Sequence, residues 1–196
     1  NLAFQGDFGL DHKFDDKGQN LSLSLSLQRN RSYNDTDIKE FDNYSTVSSL
    51  ANIINQRTRN KNIVAKVDYE LPIGEISKLE AGYRLDSNDN SYDNNVQEST
   101  SADPTLQYLG LYTYDANYKE LFNAFYAQFK SKIGKVGYQV GLRNELSQVT
   151  VDYQNLEGSN TVDNRRKTYN NLFPSIFLSY EFSKDTQLLV NYSRRI

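Results

Sequence analysis

The amino-acid sequence predicts an all-β fold, an antiparallel up-and-down meander of about eight long strands. Three observations lead there. Apolar and polar residues alternate with a period of two in many separate stretches. Several alternating runs reach about a dozen residues, beyond the five or six usual in soluble strands and enough for the nine to eleven that cross a bilayer at a tilt. Short and long connections alternate along the chain.

The clearest hairpin spans residues 120–151. Its first arm places Leu121, Phe125, Ala127, Phe129 and Ile133 on one face, with Gln128, Lys130 and Lys132 on the other. After a turn at Gly134, Val136, Tyr138, Val140, Leu142 and Leu146 oppose Gln139, Arg143, Glu145 and Ser147. Each arm is a strand with one apolar and one wet face.

The remaining elements follow in order. A first strand over about residues 2–14 carries Leu2, Phe4, Phe8, Leu10 and Phe14 on one side, and Asp15, Asp16, Lys17 and Gly18 form its turn. Leu21, Leu23, Leu25 and Leu27 interleave with Ser22, Ser24, Ser26 and Gln28, a pattern that a helix would scatter around its circumference. From Arg29 to about Ser49 the composition turns to Asn, Asp, Ser and Thr, which reads as a long polar loop; Leu50, Ile53 and Ile54 fit either a helical turn or a strand.

Ile63, Ala65, Val67, Tyr69 and Leu71 form the next strand, closed by Pro72 and Gly74. Leu79, Ala81, Tyr83 and Leu85 form another, leading into a second long excursion to about residue 118. A third polar connection covers about residues 152–168, before a last pair built on Leu172, Ile176, Leu178, Tyr180 and Phe182, then Leu188, Val190 and Tyr192. In an antiparallel meander alternate connections lie at the same end, so tight turns collect at one rim and long loops at the other. Transmembrane barrels show that asymmetry.

Composition agrees with a barrel and excludes other classes. The 196 residues are 37% hydrophobic, with a mean hydropathy of -0.73. A barrel wall needs only every second residue apolar, so that value fits it, and no apolar run approaches the length of a helical span. With no Cys, disulfides and thiolate chemistry are excluded. The single His12 cannot complete a catalytic triad or build a metal cluster. A net charge of -3 with no basic stripe gives no signal for nucleic acid. Asp86, Asn88 and Asn90 have the spacing of a calcium loop, but Ser91 stands where that loop needs Gly and Gln97 where it needs Glu. The sequence therefore predicts neither an enzyme nor a resident cofactor or metal.

The apolar faces are expected to touch lipid, with Tyr69, Tyr83, Tyr138, Tyr180 and Tyr192 toward the strand ends as an interfacial girdle. On the opposite face Lys66, Asp68, Glu80, Arg84, Arg143, Glu145 and Arg195 alternate in sign and are candidates to line a lumen, although a solvated sheet face would carry the same residues. Tyr108, Tyr112, Tyr114 and Tyr118 are the candidates for ligand contact, against packing within a loop or rim.

Particular runs also resemble a known family. Tyr169-Asn170-Asn171-Leu172-Phe173-Pro174-Ser175, Leu178-Ser179-Tyr180 and Tyr192-Ser193-Arg194-Arg195-Ile196 resemble the outer-membrane β-barrels of Bacteroidetes that group with the TonB-dependent receptors. Phe125-Tyr126-Ala127, Lys132-Ile133-Gly134-Lys135, Gly137-Tyr138-Gln139 and Gly141-Leu142-Arg143 extend the resemblance, as do Lys66-Val67-Asp68-Tyr69 and Leu79-Glu80-Ala81-Gly82-Tyr83. It covers about residues 60–196 and concerns scaffold motifs, so it carries over no functional residue.

The resemblance implies a barrel of about 22 strands, normally preceded by a signal peptide, a plug and a TonB box. Residues 1–196 are then expected to be one arc of the barrel domain, truncated at both ends, without signal peptide or plug. The expected function is that of a bacterial outer-membrane receptor importing a bulky nutrient: a glycan, a peptide or a metal chelate. Its expected partners are outer-membrane lipid and, through the missing parts, the TonB complex. An isolated arc exposes two edges and an apolar face, which predicts self-association. The rival expectations are a soluble adhesin or carbohydrate-binding module, with Leu21, Leu23 and Leu25 interlocked between two sheets, and a small closed structural barrel.

Overall fold

The computed structural model describes residues 1–41, 48–155 and 162–194. Period-two patterning produces strands throughout: β1 (Leu2–Lys13), β2 (Asn20–Phe41), β3 (Ser48–Ile73), β4 (Ser77–Thr100), a two-residue β5 (Gln107–Tyr108), β6 (Tyr114–Ile133), β7 (Val136–Asn155), β8 (Val162–Ser183) and β9 (Thr186–Ser193). They form one antiparallel sheet in the order β1-β2-β3-β4-β6-β7-β8-β9, with β5 attached to β4. β1 and β9 are the two edges, and the sheet is open.

The tight turns gather at one rim, between β1 and β2, β3 and β4, β6 and β7, and β8 and β9. In the first, the Asp15 carboxylate accepts hydrogen bonds from the backbone N–H of Lys17 at 3.0 Å and Gln19 at 2.9 Å, closing an Asx turn. Gly134 takes φ 57°, the left-handed conformation that lets a two-residue hairpin follow the twist of its strands.

The long polar loops expected at 29–49, 86–118 and 152–168 are largely strand. β2 runs on to Phe41, β4 to Thr100, β7 to Asn155, and β8 begins at Val162. Leu50, Ile53 and Ile54 continue β3, and Asp86, Asn88 and Asn90 lie on extended β4. Only residues 42–47 and 156–161 of the first and third connections fall outside the described residues. The physical reason is that ladder pairing satisfies the backbone whatever the side chains are, so a strand wet on both faces persists without alternation. The 26 residues of β3 extend about 85 Å at about 3.3 Å each.

In the connection between β4 and β6, the Thr113 hydroxyl accepts from the Val96 N–H at 3.0 Å and donates to the Val96 carbonyl at 3.1 Å. Leu109 N–H also donates to that carbonyl, at 2.9 Å, so residues 109–113 fold back onto β4. Val96 and Thr113 are thereby buried.

No large side chain is fully buried among the described residues, and Leu25, Leu142, Leu172 and Leu178 are exposed. The sheet is a single layer. The interlocked core required by a soluble two-sheet module is absent from it, and the apolar face is left for lipid.

Residues paired across successive strands form rows, and the apolar band crosses those rows on a slant. The row starting at apolar Leu2 continues through Arg31, Arg59, Ser91, Asn117, Asp152 and Asn164, all polar. At the other edge the apolar row is Ile133, Val136, Tyr180 and Leu188, hard against the tight turns. A band level with a membrane slants this way when strands tilt against the membrane normal. From Leu172 to Phe182 on β8, ten steps at about 3.3 Å and a tilt of about 40° rise about 25 Å, the height of a barrel's lipid-facing band.

Candidate functional site

The register places the predicted wall residues on one face and beside one another. Lys66, Arg84, Ala124 and Glu145 share a row; Asp68, Gly82, Tyr126 and Arg143 share the next; Glu70, Glu80, Gln128 and Gly141 follow. Their charges pair locally: Lys66 with Asp68 at 2.5 Å, Arg84 with Asp86 at 2.9 Å, and Arg143 with Glu145 at 2.6 Å. Lys78 joins Glu70 at 2.7 Å to Glu80 at 2.6 Å. Arg195 lies outside the described residues.

Two residues outside the predicted wall set join these pairs together. The Tyr126 ring lies over Gly82, where a Cβ would overlap it, and its hydroxyl donates to Asp68 on the next strand but one. Gln128 donates from its amide to Glu80 and accepts from Gln139 Nε2 at 2.9 Å. Tyr126 and Gln128, with Lys66, Gly141, Arg143 and Phe173, line a cavity of about 330 Å³. Sequence could have found Tyr126 only through the register, because what matters is a large ring opposite a residue with no side chain. The face is charged, compensated and braced, and its pairs hold a wet surface in shape.

The four predicted tyrosines do not form one cluster. Tyr108 lies on β5 and Tyr112 in the following turn, both exposed. Tyr114 and Tyr118 lie on β6, on its polar face, and the neighbouring strands carry on that face two tyrosines missed from sequence. Tyr92 and Tyr153 both pair with Ala116 on that face, and the Tyr114 and Tyr153 rings lie 5.5 Å apart at 32°. These two were overlooked because their segments read as polar loops.

Around this aromatic patch β3 and β4 contribute mostly neutral amides, with Glu120 on β6 and the Asp163–Arg165 ion pair on β8 beside them. Asn60 Nδ2 donates to Asn90 Oδ1 at 2.7 Å, Asn62 donates to Asn88, and Asn94 Nδ2 donates to the Tyr112 carbonyl at 2.7 Å. Burial, and secondarily the Glu120 carboxylate, raise the Tyr118 phenol above its usual range and keep it protonated. The polar face thus changes in character: a dense set of paired charges lies beside the apolar band, and tyrosines with amides and fewer charges lie beyond it.

On the apolar face, Tyr138 and Tyr180 lie in the rows near the tight turns, whereas Tyr192 pairs with Ile176 within the band; the Tyr69 hydroxyl accepts from Gln19 Nε2 at 2.6 Å. Tyr83 departs from a girdle position: it lies within the band, where its hydroxyl donates to Asn123 Oδ1 at 2.6 Å. His12 packs edge-on against Phe14, with ring centroids 4.5 Å apart.

A one-layer sheet with an apolar band of membrane height and a charged opposite face has the geometry of a barrel wall. The profile of the outer membrane protein β-barrel family matches residues 12–196. The chain belongs to that family. It is an outer-membrane protein.

Among solved structures, the chain is similar to the unliganded ferric citrate transporter FecA, at 16% identity and a TM-score of 0.54, over 96% of this chain and 26% of that one. It is also similar to the ferric yersiniabactin uptake receptor FyuA from Yersinia pestis, at 12% identity and a TM-score of 0.61, over 96% of this chain and 27% of the receptor. At such identities the likeness is one of fold. The chain spans about a quarter of each. No curated protein matches it.

Proposed function

We propose that this chain is a wall segment of a TonB-dependent outer-membrane receptor that imports a bulky nutrient, such as a glycan, a peptide or a metal chelate. The observation that carries the proposal is the division of one continuous sheet into a lipid band backed by compensated charge and an extension lined with amides and tyrosines. Lys66, Asp68, Glu80, Arg84, Arg143 and Glu145 form part of the lumen wall, and no covalent step is asked of them. Pairing them across and along strands keeps the surface wet without a strong field of either sign. Beyond the band, Tyr114 and Tyr118 together with Tyr92 and Tyr153 offer rings and neutral amides to the incoming ligand. Tyr108 and Tyr112 stand at the outer edge of that surface. Energy for import enters through the TonB complex, engaged by other parts of the receptor.

Because the chain has no Cys, single cysteines report the environment of each face directly. In cells, cysteine at Lys66, Glu80 or Arg143 is expected to react with a small charged maleimide, and cysteine at Leu23, Val140 or Ile176 to resist it. Equal labelling of both sets would end the wall assignment. Import itself is tested by deleting the gene and measuring uptake of each nutrient class. Undiminished uptake of all three would remove the transport role while leaving the wall intact.

A further inference from the structure

Immediately above the apolar band, on the face that continues it, β2 and β3 place cations opposite cations. Arg29 pairs in register with Lys61, and Arg31 with Arg59. Like charges directly opposite in a sheet repel, so this arrangement is destabilising unless an anion joins it. The chain supplies little of that anion. Arg59 has Asp93 at 2.9 Å, whereas Arg29, Arg31 and Lys61 make no ion pair among the described residues. Asp89 lies directly opposite both Lys61 and Lys119 in register and lines the same niche, yet among the described residues it forms an ion pair with neither. Arg31 Nε is buried with no hydrogen-bond partner.

The surroundings are amphipathic. The slant of the band leaves Leu2 and Phe4 of β1 beside Arg31 and Arg29, while Leu27 and Ile63 lie directly below. Phe4, Leu27 and Ile63 line one cavity of about 480 Å³ together with Arg29, Arg59 and Lys61. At the same height the opposite face is neutral, with Asn30, Asn60 and Asn90 in one row. The cations therefore belong to the membrane side, at the level where headgroups begin.

We propose that this niche binds a phosphorylated lipid of the outer leaflet, its phosphate held between the Arg29–Lys61 and Arg31–Arg59 pairs and its acyl chains laid on Phe4, Leu27 and Ile63. Guanidinium groups suit the phosphate because they donate in a planar fork, and Arg31 Nε is a donor in want of an acceptor. The lipid relieves the cross-strand repulsion, so the protein and its membrane stabilise each other at this point.

The test extracts the protein in neutral detergent, adds phosphatidic acid or phosphatidylcholine of the same chain length, and counts retained lipid by native mass spectrometry. Phosphatidic acid is expected to be retained preferentially, and Arg29→Gln with Lys61→Gln to weaken its retention about tenfold. Lys17→Gln with Lys184→Gln, at the tight turns, should leave it unchanged. Arg29→Gln alone guards against misfolding: Arg29 faces only Phe4 and Lys61 in register, so the variant should raise the midpoint of urea unfolding in lipid-free detergent, by removing repulsion, while weakening the lipid's effect. Equal retention of the two lipids, or unaltered retention by the Gln pair, overturns the proposal. So does full displacement by millimolar inorganic phosphate, which would assign the cations to a free anion. An Arg29→Gln variant that unfolds more easily without lipid would show that the repulsion is not there to be relieved.

Discussion

The band and the extension belong to the same strands, yet they are held by different physics. Within the band β6 alternates Phe125 and Phe129 on the lipid face with Tyr126 and Gln128 on the other, and the second pair is tied to Asp68 and Glu80. Beyond it, the same strand carries Asn117 and Lys119 on one face and Tyr118 and Glu120 on the other, polar on both sides. Pairing with β4 and β7 continues through both regions without a break. The comparison shows that hydrogen bonding makes the strand, while the alternation of side chains only records which solvent each face meets. An unpaired backbone group costs several kcal/mol in hydrocarbon and much less in water, so the ladder is enforced in the band and optional above it.

The sharpest way to break this comparison uses one strand and one face. Ala127→Arg, in the middle of the band on β6, is expected to destabilise the membrane-inserted protein by about 2–4 kcal/mol. Asn117→Arg, on the same face in the extension, should change stability by less than about 0.5 kcal/mol. Urea titration in lipid vesicles measures both, and equal costs would show that the slanted band is not the lipid boundary.

A smaller effect sharpens the account of the polar face. Gly82→Ala puts a methyl group where the Tyr126 ring lies, and is expected to cost about 1–3 kcal/mol by forcing that ring off Asp68. In a Tyr126→Ala background most of that penalty should vanish. If it remains, the ring over Gly82 is not what holds these strands in shape.

The smallest expected effect lies in the extension. Folding raises the Tyr118 phenol through burial and the neighbouring Glu120. A group whose pKa is higher folded than unfolded contributes stability that is complete below its unfolded value and is lost as pH rises through its folded value. Alkaline unfolding should therefore weaken wild type more than Tyr118→Phe above about pH 10. Ultraviolet titration should also find one late-ionising phenol fewer in the variant.

Much of the lower half was legible from sequence. Leu21 to Leu27, Ile63 to Leu71 and Leu172 to Phe182 show their face by period two because one side must be apolar in lipid, and the tight turns announce themselves through Asp15, Gly18, Gly74 and Gly134. The same parity put Lys66, Asp68, Glu80, Arg84, Arg143 and Glu145 together on one face, opposite the apolar residues. The extension was illegible for the converse reason: residues 29–41, 86–100 and 162–168 are largely polar on both faces, so little in their hydropathy separates strand from loop. Tyr92 and Tyr153 disappeared into those supposed loops.

Strand identity, facing and turn position were thus written in the chain, since each follows from local chemistry and the solvent a side chain requires. Which residues became neighbours across strands was not. Tyr126 reaching over Gly82 to Asp68, Arg31 set against Arg59, and the slant of the band all depend on register and tilt. Those are set by how many strands pair and at what offset, quantities that no single stretch of sequence contains.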